Sequence, residues 1–362
     1  MGSAHFRGTF GQISFTDRWR YRDHDMRTNL AIWLFALSCC GTSPALHAGV
    51  TRTQSIPIRA GWNAVFLEVQ PLTAKPSEVF ARLPVETVSC FVPGRLSAQF
   101  LRDPGDAPWR NEGWAVWHAP SRPDAFLSNL HEIQAHRALL VLATSDFTWT
   151  VTGEVQPRSI EWHPNTCTFT GLPVDSAAPP TFAQFFEGSE AHARLRIFRL
   201  ETGTWKIVRD PATTKVRSGE AYWIETDGAS TYQGPLRLEL SPTGVLDFDL
   251  LGGARELGLL NDGIRAAPKM QVEIVQDANP LPLRMLKRDL SKRSITSEAM
   301  SSMELPALPA GLRTSIRLEP DRDAMTTDHG DALLRITDGR GTQHWVPVRA
   351  RRHGDGMAAV QP

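Results

Sequence analysis

The sequence predicts an all-β protein: two tandem homologous β-rich modules followed by an immunoglobulin-like β-sandwich. Two stretches of the chain repeat the same order of strand and turn signals, the mark of an internal duplication. Glycine (27) and proline (26) stand beside 11 Trp and 16 Phe, a mixture that fits short strands joined by tight turns better than long helices. Beyond Leu238, short apolar runs alternate with turn signals in the manner of a sandwich.

A chain of 362 residues exceeds one ordinary core and divides naturally into domains. Charged residues at 22% and hydrophobic ones at 41% match folded proteins rather than disordered polyelectrolytes. Lys+Arg and Asp+Glu balance at 39 each, so no net field draws the molecule onto an anionic polymer or membrane, and nucleic-acid binding is disfavoured.

Residues 1–48 read as an N-terminal extension and signal peptide. Met26-Arg27-Thr28-Asn29 is a short basic start, Leu30 to Cys40 is apolar, and Ser43 to Ala48 is a small-residue exit before Gly49. Residues 1–25, rich in Arg and Asp, do not fit that plan, so the expected true start is Met26 with cleavage after Ala48. Acylation at Cys39 or Cys40 is the alternative. No other segment approaches the roughly 18 apolar residues of a membrane-spanning helix, so no transmembrane segment is expected after cleavage. The expected location is exported: periplasmic, cell-surface or extracellular. Cleavage leaves Cys90 and Cys167, which an oxidising compartment invites to form a disulfide contributing about 4 kcal/mol, the other reading being two buried thiols.

The first module covers 54–156 and the second 160–238. In the first, Ile58 to Phe66 reads as a strand, Pro76 to Leu83 as a short Pro-started helix, Arg137 to Val141 as a central strand and Phe147 to Val151 as a closing one. In the second the same order runs through Asn165 to Phe169, Pro180 to Phe186, Glu220 to Ile224 and Ser230 to Tyr232. Ala138 answers to Ala221 and Trp149 to Tyr232 at one constant offset, while the first copy carries extra residues from Pro93 to Gly113. Trp223 therefore answers to plain Leu140, a swap that suits a buried strand and not an aromatic ligand platform. Between them, Leu195 to Leu200 and Trp205 to Val208 flank Glu201-Thr202-Gly203-Thr204, a half-buried antiparallel ribbon.

The combination Gly61-Trp62-Asn63, Gly219-Glu220-Ala221-Tyr222-Trp223-Ile224 and Thr231-Tyr232-Gln233-Gly234-Pro235 resembles the repeated β-modules near the N-terminus of large secreted bacterial proteins. Such proteins often continue into immunoglobulin-like and LamG-type domains. The likeness runs from Ile56 to Leu238 and implies an exported β-scaffold without naming a ligand. No LamG-type domain is evident in this chain.

The sandwich is expected over 239–351. Strand signals fall at Gly244 to Asp249, Glu256 to Leu260, Met270 to Val275, Ala332 to Ile336 and His344 to Val348, with turns at Asn261-Asp262-Gly263 and Asp338-Gly339-Arg340-Gly341. Arg284 to Met303 is polar, basic and poor in β-formers, and reads as a long loop. The tail, 352–362, is expected to be disordered.

No catalytic signature emerges. His131-Glu132-Ile133-Gln134-Ala135-His136 has the outline of the zinc motif H-E-x-x-H, but the i, i+4 spacing that puts two ligands on one helical face is missing. Asp321, Asp323, Asp328 and Asp331 lack the spaced ligands of a calcium loop. Ser218 and Ser230 lie outside any G-x-S-x-G elbow. Arg284, Lys287, Arg288, Lys292 and Arg293 read as a solvated face or as a grip on an acidic polymer. The candidate ligand-binding residues are Arg102, Trp109, Trp114 and Trp117, with Arg110 beside them, because aromatics and arginines on loops over a rigid scaffold make recognition surfaces. The alternative is that Trp114 to Trp117 is a strand. No cofactor and no metal is expected. The function read from the sequence is non-enzymatic binding or structure, with a glycan or surface protein as partner. An architectural spacer and an atypical carbohydrate-active hydrolase are the alternatives.

Overall fold

A computed structural model describes residues 50–92, 113–241, 243–248, 253–276, 281–289 and 293–352. The expected signal peptide, Arg102, Trp109, Arg110, Lys292 and the tail from 353 lie outside the described residues. The chain is all-β, as its sequence predicts.

In the first module, β1 (Thr51–Ile58), β2 (Gly61–Leu67), β3 (Val69–Pro71), the one-turn helix α1 (Pro76–Val79), β4 (Val85–Phe91), β5 (Trp114–His118), β6 (Arg137–Ala143) and β7 (Phe147–Val155) follow in order. They form two sheets, β1-β7-β3 and β2-β6-β4-β5. The alternating burial along β7 turns Trp149 and Val151 inward, because successive side chains of a strand point to opposite faces. There they meet Ile56, Leu67, Phe80, Val88 and Leu139, and this core joins the sheets. Gly61 has φ of 92°, and Asn63 closes the turn before it by accepting from the Arg59 N–H at 3.0 Å and donating to the Arg59 carbonyl at 2.7 Å. The G-W-N motif is thus a turn clamp followed by a strand.

The second module holds β8 (Thr166–Thr170), α2 (Phe182–Phe185), β9 (Arg196–Glu201), β10 (Thr204–Ile207) and β11 (Tyr222–Thr226). Its sheet runs β8-β11-β9-β10, the same spatial order as β2-β6-β4-β5 in the first copy. Thr181 and Gln184 cap α2 reciprocally, at 3.2 and 2.9 Å, which satisfies two amides that a helix start leaves open. Trp162, Phe182, Tyr222, Ile224 and Tyr232 fill the interior. The closing strand expected at Ser230 to Tyr232 is reduced to one bridge, between Trp162 and Ser230. The Trp162 indole N–H donates to the Tyr232 carbonyl at 2.7 Å, so one ring does part of the holding that a full ribbon does in the first copy.

The two related sheets pack face to face. Ala64, Phe66, Trp114, Ala138 and Leu140 from the first meet Phe169, Trp205, Ala221 and Trp223 from the second. Burying such aromatics removes roughly 150–250 Å² each from water, so this seam is a core in its own right. The edges also join: the Phe66 N–H donates to the Gly219 carbonyl at 2.8 Å, and the Ala221 N–H to the Ala64 carbonyl at 3.0 Å. Gly219, with φ of 76°, sits where a Cβ would lie 3.1 Å from Ile56 Cγ1.

The last third is a sandwich built from β12 (Leu236–Glu239), β13 (Leu246–Phe248), β14 (Arg255–Asn261), β15 (Met270–Gln276), β16 (Leu283–Asp289), β17 (Ser294–Met300), β18 (Ser302–Leu305), β19 (Arg313–Pro320), β20 (His329–Thr337) and β21 (Gln343–Arg351). One sheet is ordered β12-β14-β19-β16-β17 and the other β13-β21-β20-β15-β18. Phe248, Leu257, Leu259, Met270, Leu318, Leu334 and Val346 fill the space between them. The loop expected from Arg284 to Met303 is instead β16, β17 and β18. Leu283 and Met285 point inward on alternate positions and Arg284 points outward, held by Ser297 at 2.7 Å and Asp321 at 3.0 Å, while Lys287, beyond the end of the core, is exposed and pairs with Glu298 at 2.5 Å. The charges that made this stretch look β-poor belong to a hairpin at the sheet edge, with Arg284 and Arg288 on its outer face and Lys287 past the end of the core.

The sandwich docks on the modules through a bridge between Val174 and Thr342 and through the Asp175 N–H donating to the Gly341 carbonyl at 2.8 Å. Beside it, the Arg340 guanidinium pairs with Glu187. Val50, Val155 and Leu333 make a small apolar contact against Trp345.

Candidate functional site

Trp114 and Trp117 both lie on β5, three positions apart, and so face opposite sides of its sheet. Trp114, 5% exposed, belongs to the seam between the copies, and Trp117, 6% exposed, belongs to the interior of the first module. The reading of the pair as a recognition surface is corrected on this point, and the alternative, a strand, is the one found: a buried indole packed among its neighbours offers no face to a ligand. Trp223, fully buried, lies at 4.9 Å from Phe169 and 5.6 Å from Phe91, ring centre to ring centre.

Of the two readings of Cys90 and Cys167, the disulfide is absent and both are free thiols. Cys90 points into the interior of the first module, whereas Cys167 points into the seam on the other side of that sheet. A bridge would have to pass through β4. Burial pushes the Cys90 thiol up to about 11 and raises that of Cys167 as well. Cys90 is thus an inert apolar group at neutral pH, and half-buried Cys167 is the more accessible of two weakly reactive thiols.

A polar, half-open space lies where the two modules and the sandwich converge. A cavity of about 330 Å³ is lined by β1 and β2 of the first module, by His136, by the inter-module linker 156–159 and by the start of β21. Its walls carry shielded polar atoms with no protein partner: Arg52 Nε, Glu68 Oε1, His136 Nδ1, Arg158 Nη1 and Trp345 Nε1. Groups of this kind cost free energy when left unpaired, so their collection around one space makes it the candidate site.

Each side chain is fixed by the fold. The Glu68 N–H donates to Gln54 Oε1 at 2.8 Å, and Gln54 in turn donates to the Phe66 carbonyl at 3.1 Å, which locks the strand end that carries Glu68. Glu68 is only 6% exposed and its Oε2 is paired with Arg52. Arg52 also stacks its guanidinium 4.8 Å from the Trp345 ring centre. Arg158 donates through Nη2 to the Gly171 carbonyl at 2.6 Å and lies 5.1 Å from the Phe66 ring centre. A Cβ on Gly171 would sit 2.2 Å from Phe66 Cγ, so only glycine allows the carbonyl and the ring to meet the same arginine.

His136 has φ of 57° and its Nε2 lies 3.0 Å from the Gln156 carbonyl, while His344 Nε2 lies 2.8 Å from the Leu236 carbonyl. A carbonyl only accepts, so each Nε2 carries the proton and the neutral ring keeps Nδ1 as an acceptor. Burial holds both histidines down to about 4. Burial also lowers Arg158, to about 10, and the Glu68 carboxylate opposes that fall. At neutral pH the wall therefore holds two guanidinium charges, one carboxylate and two neutral imidazoles. It combines three N–H donors with two acceptors and suits a small polar anion.

Of the two serines on the wall, Ser241 is hydrogen-bonded to Thr243 at 2.8 Å and to the Val245 carbonyl at 3.0 Å. The single carboxylate of the cavity is engaged by Arg52, whereas glycoside hydrolysis uses two carboxyl groups across the scissile bond. His131 lies in the exposed part of the loop before His136, and the structure does not bring the pair together as ligands: His136 is committed to Gln156. Arg284 and Lys287 are paired as described above and do not reach the cavity.

Among the described residues, no helix is long and apolar enough to cross a membrane. No model of a known protein family matches the chain, and no curated protein matches it. Solved structures give distant likenesses. One is the CsuC–CsuE chaperone–tip adhesion subunit pre-assembly complex from archaic chaperone-usher Csu pili of Acinetobacter baumannii, at 13% identity and a TM-score of 0.20, over 35% of this chain and 61% of that one. Another is the ASH/PapD-like domain 7 of human CEP192, at 9% identity and a TM-score of 0.17, over 32% of this chain and 84% of that one. At such scores neither likeness bears on function.

Proposed function

We propose that this protein is a non-enzymatic binding or structural element of the bacterial exterior, whose partner is a glycan or another surface protein. The observation that carries the reading is the junction cavity: its titratable groups are fixed by Gln156, Leu236, Arg52 and Gly171, and the residues that line it carry further polar atoms with no protein partner. Such a wall is organised to hold a molecule and not to move a proton. The exported setting is supported by the apolar run Leu30 to Cys40 with its small-residue exit, and by the resemblance of the G-W-N and G-E-A-Y-W-I motifs to modules of large secreted bacterial proteins.

A purely architectural spacer is the second reading, favoured by the Val174–Thr342 bridge and the part-buried Glu187–Arg340 pair that weld the sandwich to the modules. Retention on immobilised polysaccharides and surface proteins tests both. Retention without product release supports the binding reading, no retention supports the spacer, and new reducing ends would return the protein to the hydrolases. Mass spectrometry of the exported product, with a first residue at Gly49, tests the setting.

A further inference from the structure

We propose that the junction cavity binds one small hydroxylated carboxylate of the sugar-acid class, with Arg158, Arg52 and Trp345 donating to the carboxylate and Glu68 and His136 accepting from hydroxyls. The inference rests on the binding reading above and specifies its ligand.

Charge, polarity and size each narrow the choice. Two guanidinium groups against one carboxylate leave the wall with a single positive charge to neutralise, so the complement is a monoanion. The unpartnered donors are Arg158 Nη1, Arg52 Nε and Trp345 Nε1, a set that suits an oxyanion, and a guanidinium favours planar carboxylate oxygens. Glu68 Oε1 and His136 Nδ1 would repel a ligand made only of oxyanion oxygens, but they accept from O–H groups. Neutral sugars lack the charge, simple carboxylates lack the hydroxyls, and phosphate carries too much of one kind of oxygen. A hexuronic acid has both, and a space of about 330 Å³ lies in the range of small-molecule sites. The Trp345 and Phe66 faces are already covered by Arg52 and Arg158, so the sugar is held by its polar edge and not by ring stacking.

Isothermal titration of the intact protein with D-glucuronate, D-glucose, acetate and inorganic phosphate tests this. One-to-one binding of glucuronate is expected, at least about tenfold tighter than glucose, acetate or phosphate, since one charge-assisted hydrogen bond accounts for such a ratio. Arg158→Met should abolish it. Because Arg158 also holds the Gly171 carbonyl, Trp345→Phe is the second variant: it keeps the ring under Arg52, removes one N–H, and should weaken glucuronate about three- to tenfold at unchanged stoichiometry. Equal binding of glucose and glucuronate, tighter binding of phosphate, or an unchanged affinity in Trp345→Phe would overturn the assignment. So would no heat from any probe, the result of a cavity filled by solvent alone. If polysaccharide retention persisted in that last case, the binding reading would stand and only the cavity assignment would fall.

Discussion

Trp223 of the second copy packs edge-on against Trp114 of the first, with ring centres 6.4 Å apart and planes at 65°. The contact couples two sheets of the same strand order through residues that look, in sequence, like a ligand platform. Leu140 stands at the position of Trp223 in the first copy, and both are fully buried in the same seam. Their neighbours Leu139 and Tyr222 turn the other way, each into the interior of its own module.

Truncating either ring should therefore act on stability. Trp223→Ala is expected to cost about 3–5 kcal/mol in urea denaturation. A double-mutant cycle with Trp114→Ala should give a coupling of about 0.5–1.5 kcal/mol. Additive losses would mean that the seam does not form as described.

Two glycines should respond differently to alanine. At Gly171 the new Cβ would collide with Phe66, 2.2 Å away, and a loss of about 1–3 kcal/mol is expected. At Gly61 there is nothing within 4 Å and only the φ of 92° resists, so about 1 kcal/mol is expected. The denaturation midpoints of the two variants check the order.

Acid should weaken the fold through its buried imidazoles. Burial holds His136, His192 and His344 at about 4, below the ordinary 6.5, so between these values the unfolded chain binds more protons than the folded one. Their contribution is complete above pH 6.5 and is lost as pH falls towards 4. His192, 2% exposed and bonded to Ser189 at 2.7 Å, is the cleanest probe. His192→Gln should flatten the decline by up to about 1.4 kcal/mol per pH unit in that window. Its ring resonances in the native protein should not titrate above pH 5.

The thiols give a compartment-independent check. In the native protein Cys167, half-buried, should react with iodoacetamide before Cys90, which burial holds at about 11. After unfolding without reductant, both should be alkylated. A mass showing a bridge would contradict the separation of the two side chains by β4.

Much of the scaffold was legible because burial imposes periodicity. The match of Ala138 with Ala221 and of Leu140 with Trp223 carried the duplication and the core role of Tyr222 and Trp223. The hairpin β16–β17 was not legible, since Arg284, Lys287 and Arg288 outweighed the alternation of Leu283 and Met285 at a sheet edge. The cavity left still less trace. Arg52, Glu68, His136, Arg158 and Trp345 come from separate segments with no shared spacing, and only the fold brings them together. A lone arginine in the linker Gln156-Pro157-Arg158-Ser159-Ile160 was the one available signal. Trp114 and Trp117 left two readings open, a loop surface or a strand, because a tryptophan beside an insertion suits either, and β5 is the second of them.

Native-state hydrogen exchange at the joint between the copies bears most directly on the tandem architecture. The amides of Phe66 and Ala221, bonded to the Gly219 and Ala64 carbonyls, should be protected as strongly as those of the β4–β6 ladder. Exchange of these two amides on the timescale of open loops, with the ladder still protected, would mean that the modules fold separately and that no junction cavity is held between them.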